Sequence, residues 1–99
     1  MFARVSTYDI GSGRMDDAVT SFRSALEEIS RLEGFSEGFF IASGEDEHAS
    51  AITLWTSRTA MEASRTAASR LRTEAAESVE GAVASACEYE VAVHVVARQ

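Results

Sequence analysis

The chain has 99 residues, enough for one domain over 1–99, and a chain this short buries only about 60 to 65% of its unfolded surface, so a second copy would add burial that it lacks. Its 16 acidic and 9 basic residues give a net charge of −7, which repels phosphate backbones and anionic headgroups and argues against nucleic acid and membrane surfaces as partners. The opening MFARVSTYD has no basic stretch leading into an apolar run, and nothing approaches the ~20 apolar residues of a membrane span, so a soluble, cytoplasmic protein is expected.

Phe2 to Asp9, with Val5, Thr7 and Tyr8, predicts a first strand, ended by the turn residues of DIGSG. Met15, Val19, Phe22, Leu26 and Ile29 then alternate spacings of four and three, which places them on one helical stripe. Ser12 or Gly13 lies near its N-cap, Asp16 and Asp17 in its first turn, and Gly34 at its C-terminal stop. FSEGFFIAS (Phe35 to Ser43) predicts a second strand, GEDEH a polar hairpin connection, and ASAITLWTS (Ala49 to Ser57) the return strand. A second helix is predicted from about Arg58 to Ser78, N-capped by Thr56 or Ser57, with Ala60, Ser64, Ala67, Leu71 and Ala75 on one face. The last strand is expected over Ser85 to Val96.

The order βαββαβ is the ferredoxin-like α+β arrangement, a four-stranded antiparallel sheet with two helices on one face. A sheet with a wet face alternates apolar with polar, yet GFFIA, ITLW and VAVHVV are largely apolar at both parities. The open face therefore needs a cover, and a second copy of the same sheet supplies it. A homodimer through that face is expected.

LEGF (Leu32 to Phe35) and ITLWTSRTAMEA (Ile52 to Ala63) resemble proteins of the antibiotic-biosynthesis monooxygenase family, within the dimeric α/β-barrel superfamily. The resemblance implies the dimeric barrel and, in the members that oxidise aromatic polyketides, oxygenation without a cofactor. Those members have an asparagine four positions before the strand tryptophan and a tyrosine six after it. The tryptophan is matched by Trp55, but the other positions hold Ala51 and Met61. The haem-degrading branch relies on a first-strand asparagine with a tryptophan and a histidine in the second helix. Ser6 takes the first position and the second helix has neither of the others, so haem is not expected.

Ala49, Ala51, Thr53 and Trp55 share one parity, and three small side chains beside one large ring can leave a hollow. Trp55 would wall it, with Met15, Phe22 and Met61 closing an apolar pocket over Ala51 and Thr53 for a flat aromatic ligand. The alternative is that those side chains refill the space as core. On the first strand Arg4, Ser6 and Tyr8 share a parity and offer one cation and two hydroxyls to hold or relay a proton for a phenolate or enolate. Equally, Arg4 can pair with Glu88 or Glu90 across the sheet. Glu88, Glu90 and His94 lie on one face of the last strand, but at 3.3 Å per residue Glu88 and His94 are about 20 Å apart, too far for one ion. His48 in GEDEH fits a solvated turn, Cys87 an inert half-buried thiol, and Arg58–Glu62 and Arg70–Glu74 surface pairs. No metal and no cofactor is expected. The catalytic candidates are thus Trp55, Arg4, Ser6 and Tyr8, and the open alternative is a non-catalytic ligand-binding or structural module.

Overall fold

The computed structural model describes residues 1–43 and 47–98. It runs β1 (Phe2–Asp9), α1 (Met15–Ile29), β2 (Phe35–Ala42), β3 (His48–Trp55), α2 (Arg58–Ala63), α3 (Arg65–Glu77) and β4 (Ala82–Glu90). The four strands form one sheet in the order β2-β3-β1-β4, and every pairing is antiparallel. This is the ferredoxin-like α+β architecture predicted from the order of elements. Of the hairpin connection expected over GEDEH, 44–46 lie outside the described residues. His48 opens β3 with its Nδ1 2.9 Å from Oδ1 of Asp9, its cross-strand partner.

Two elements differ most from the sequence pattern, the second helix and the last strand, and tertiary contacts account for the helix break and the strand's end. The single helix expected after Ser57 is divided at Ser64 into α2 and α3. There the Met61 carbonyl accepts from Ser64 Oγ at 2.7 Å and from Arg4 Nη2 at 2.8 Å, so side chains compete with the backbone ladder at the break. The last strand starts earlier than expected, at Ala82, and ends at Glu90 rather than Val96. Its ladder with β1 stops there: Glu90 faces Phe2, and one further bond runs from Val91 N to Met1 O at 3.0 Å. A strand persists only where its N–H and C=O groups find partners. From Val93 onward the valines stand in solvent, Val93 80% and Val95 84% exposed.

Alternation along β1 and β3 separates the faces. Arg4, Ser6 and Tyr8 with Ala49, Ala51, Thr53 and Trp55 point to the helices and are buried. The main core lies on that side, among Tyr8, Phe22, Ile29, Trp55, Met61 and Val79. Val5, Ile52 and Phe39 are in register across the other face, next to Leu54 and Ile41. Cys87 pairs with Val5 there and is exposed rather than half-buried, because no helix covers that side within the protomer.

The connection from α1 to β2 depends on Gly34. Its φ of 81° is the left-handed region that side chains disfavour, its carbonyl accepts from Thr56 N at 2.8 Å, and a Cβ would collide with that of Ala60. This tight corner anchors the start of β2 against the start of α2.

Candidate functional site

Small residues on β3 leave space above the sheet, and the β1 row fills it from beside. Registers Arg4↔Thr53, Ser6↔Ala51 and Tyr8↔Ala49 put each polar β1 side chain next to a small neighbour. Thr53 in turn accepts from Trp55 Nε1 at 3.0 Å. The Trp55 ring is 0% exposed: the edge of Phe35 meets it with centroids 5.5 Å apart, and the Arg4 guanidinium lies 5.8 Å from its centroid.

Arg4 acts as a clasp. Besides Met61 O, its guanidinium donates to Ser64 Oγ at 3.0 Å and to Glu88 Oε2 through Nη2 at 2.7 Å and Nε at 3.2 Å. Glu88 also accepts from Arg65. Hydrogen bonds from Arg65 hold the Glu88 carboxyl down at about 2, opposed by partial burial and assisted by those from Arg4. Of the two carboxylates that the sequence offered Arg4, Glu88 is the partner. Arg58 stacks over Phe2 at 4.8 Å, whereas Arg70 and Glu74 pair at 3.3 Å in solvent.

Tyr8 is different. Its ring packs on Phe22 with centroids 4.5 Å apart and Phe22 stacks on Phe40, but its buried hydroxyl has no hydrogen-bond partner. Burial pushes the phenol pKa up; the neighbouring Ser6 hydroxyl and the Arg72 and Arg4 cations pull against that, Ser6 without meeting the phenol in hydrogen-bond geometry. The Nε of Arg72 is likewise buried and unpartnered, and burial lowers the pKa of that guanidinium. Both residues line one closed space of about 10 Å³, together with Ser6, Ala51, Thr53 and Phe22. That volume is about one water.

A larger groove of about 410 Å³ lies next to it, between α1 and β2. Val19, Leu26, Phe35 and Phe40 form its apolar wall and Arg23 and Glu27 are its charged residues. Gly38 shapes its floor, since a Cβ there would come within 2.9 Å of the Phe35 ring and 3.3 Å of Leu26 Cδ2. Leu26 lines both spaces.

The structure thus gathers Ser6, Tyr8, Phe22, Ala51 and Thr53 around the inner space. Trp55, Arg4 and Met61 are buried in the adjoining core, and Met15 packs half-buried against that core. Arg72, Leu26, Phe35, Phe40 and Gly38 were not singled out from sequence as site residues, although Leu26 lay on the helical stripe and Phe35 in LEGF. For Arg72 a signal existed, because it lies four residues from both Ala68 and Ala76, two alanines that α3 buries.

These features define a small α+β domain with an apolar groove beside a closed set of polar donors. No family model matches the chain, and no curated protein matches it. Solved structures do match in fold. A Deinococcus radiodurans protein assigned as an antibiotic biosynthesis monooxygenase is 10% identical over 100% of both chains, with a TM-score of 0.78. SnoaB, a cofactor-independent oxygenase from Streptomyces nogalater, is 14% identical over 99% of this chain and 93% of its own, with a TM-score of 0.72. A variant of MhuD, with two manganese protoporphyrin IX per active site, is 16% identical over 98% of this chain and 100% of its own, with a TM-score of 0.73. The fold is therefore that of the antibiotic biosynthesis monooxygenase proteins, as LEGF and ITLWTSRTAMEA implied.

Proposed function

We propose that this chain is a homodimeric, cofactor-independent monooxygenase-like protein acting on a small aromatic or quinol substrate held between sheet and helices. The observation that carries the reading is the juxtaposition of the apolar α1/β2 groove with the buried hydroxyls of Ser6 and Tyr8 across Leu26. The likeness in fold to SnoaB supports it. An electron-rich substrate anion, desolvated in such a site, itself reduces dioxygen: one oxygen atom goes to the oxidised carbon and the other leaves as water with the two displaced hydrogens. Ser6 and Tyr8 would hold the substrate oxygen, while Arg4, engaged with Glu88, fixes the strand that presents them. Trp55, fully buried and outside the lining of both spaces, supports the core behind them.

A second reading, a non-catalytic ligand-binding module, is favoured by the 10 Å³ inner space and by Ala51 and Met61 in place of the asparagine and tyrosine of the polyketide-oxidising enzymes. Oxygen consumption with a panel of hydroquinones and anthrones separates the two. The oxygenase reading expects uptake above the buffer rate, lowered about tenfold or more in Tyr8→Phe. Ligand binding without uptake supports the module.

A further inference from the structure

We propose that Tyr8 and Arg72 form a paired-donor clamp for a single anionic oxygen of the ligand, a phenolate or enolate, with Leu26 as the partition that its ring displaces. The inference rests on the ligand site proposed above but not on oxygenation.

Two residues from different elements that line the same small space each carry a buried polar atom without a partner: Tyr8 OH on β1 and Arg72 Nε on α3. Leaving either unmade costs about 1–3 kcal/mol, so a fold that retains both has a use for an acceptor between them. The space, about 10 Å³, holds one oxygen atom and excludes a ring. Both groups can donate to it, and Arg72 adds a positive charge. None of the ion pairs found among the described residues involves Arg72.

The surrounding charges are compatible with an anion. Arg4 on β1 adds positive potential, while Glu88 on β4 is bound by Arg4 and Arg65. From α1, Arg23 and Glu27 of opposite sign line the outer groove. A ring lying in that groove against Phe35 and Phe40 reaches the clamp only where Leu26 stands, so the ligand is a hydroxylated arene that replaces the Leu26 side chain as it enters. A neutral alcohol would make the same two contacts without the charge. The clamp therefore selects the ionised form.

The probe is 4-nitrophenol, whose phenolate absorbs in the visible. On the wild-type protein and on Leu26→Ala, the bound phenol should ionise at a pH about one unit below that of the free phenol, with tighter binding to Leu26→Ala. Tyr8→Phe and Arg72→Met should each weaken phenolate binding about tenfold and return its ionisation toward the free value. Each removes a buried unpartnered atom, so both should melt no lower than wild type, which a purely structural role would not allow. No binding to either wild type or Leu26→Ala at millimolar probe, or an ionisation indifferent to both clamp variants, overturns the proposal. A lowered ionisation without oxygen uptake from any quinol keeps the clamp and removes the oxygenase reading. Uptake with an indifferent ionisation does the reverse.

Discussion

The buried guanidinium of Arg4 and the carboxylate of Glu88 depend on each other, and pH reports that dependence. Glu88 titrates at about 2 in the folded chain against an ordinary 4.5, so folding favours its ionised form. The stabilisation is fully present above the unfolded value and is lost as pH falls through the folded one. Glu88→Gln should therefore unfold at lower urea at pH 7, by about 2 kcal/mol, because it leaves the Arg4 charge less compensated. Between pH 4.5 and 2 the gap from wild type should close; a gap that stays constant would show that the ion pair is not its source. Strand parity was enough to offer Arg4 Glu88 or Glu90 across the sheet, and the register of β1 with β4 then selects Glu88. The spacing of four from Ala68 and Ala76 sets Arg72 apart from Arg65 and Arg70 only once those alanines are known to face the sheet. Which of the three is partly buried depends on how α3 is rotated over the sheet, and that is set by Ala68, Leu71, Ala75 and Ala76 packing together.

Elements in this fold end where tertiary contacts, rather than local preference, stop them. Gly34 shows the strictest case, because a left-handed residue and a close helix contact coincide at one corner. Gly34→Ala should cost about 2–3 kcal/mol in chemical denaturation, the sum of backbone strain and the forced retreat of Ala60. In an Ala60→Gly background, which itself carries about 1 kcal/mol of glycine's helix penalty, Gly34→Ala should cost only about 1 kcal/mol more, for the strained φ. A double variant as stable as Ala60→Gly alone would locate the whole effect in the clash. The helical stripe from Met15 to Ile29 and the alternation of β1 were legible because amphipathic periods are local. The division at Ser64 was not, since it involves a strand residue 60 positions away that bonds to Ser64 and to the Met61 carbonyl. Nor was the end of β4: YEVAVHVV alternates as well after Glu90 as before it, but the pairing with β1 reaches only to Phe2 opposite Glu90, and that is not a local property.

At the scale of the molecule, exposed surface points to association. The protomer exposes 6194 Å², whereas a folded monomer of 10.7 kDa is expected to expose about 5500 Å². The excess of about 700 Å² is close to the ~800 Å² that each partner contributes to a standard interface. Part of it is the open sheet face, where Phe39 is 46%, Ile41 52% and Tyr89 54% exposed, and part is the valine-rich segment beyond β4. If the proposed homodimer uses that face, Phe39→Glu combined with Ile41→Glu should convert a dimer to a monomer in sedimentation at micromolar concentration. Its melting temperature should then cease to rise with protein concentration. The same strand lines the α1/β2 groove on its opposite side, because Phe39 and Phe40 alternate across β2. β2 is an edge strand paired only with β3, so losing its cover loosens Phe35, Gly38 and Phe40 together. The monomeric variant should bind 4-nitrophenol severalfold more weakly although neither substitution faces the groove. Unchanged affinity in a demonstrated monomer would separate the dimer interface from the ligand site, and an unaltered dimer would show that another surface joins the two copies.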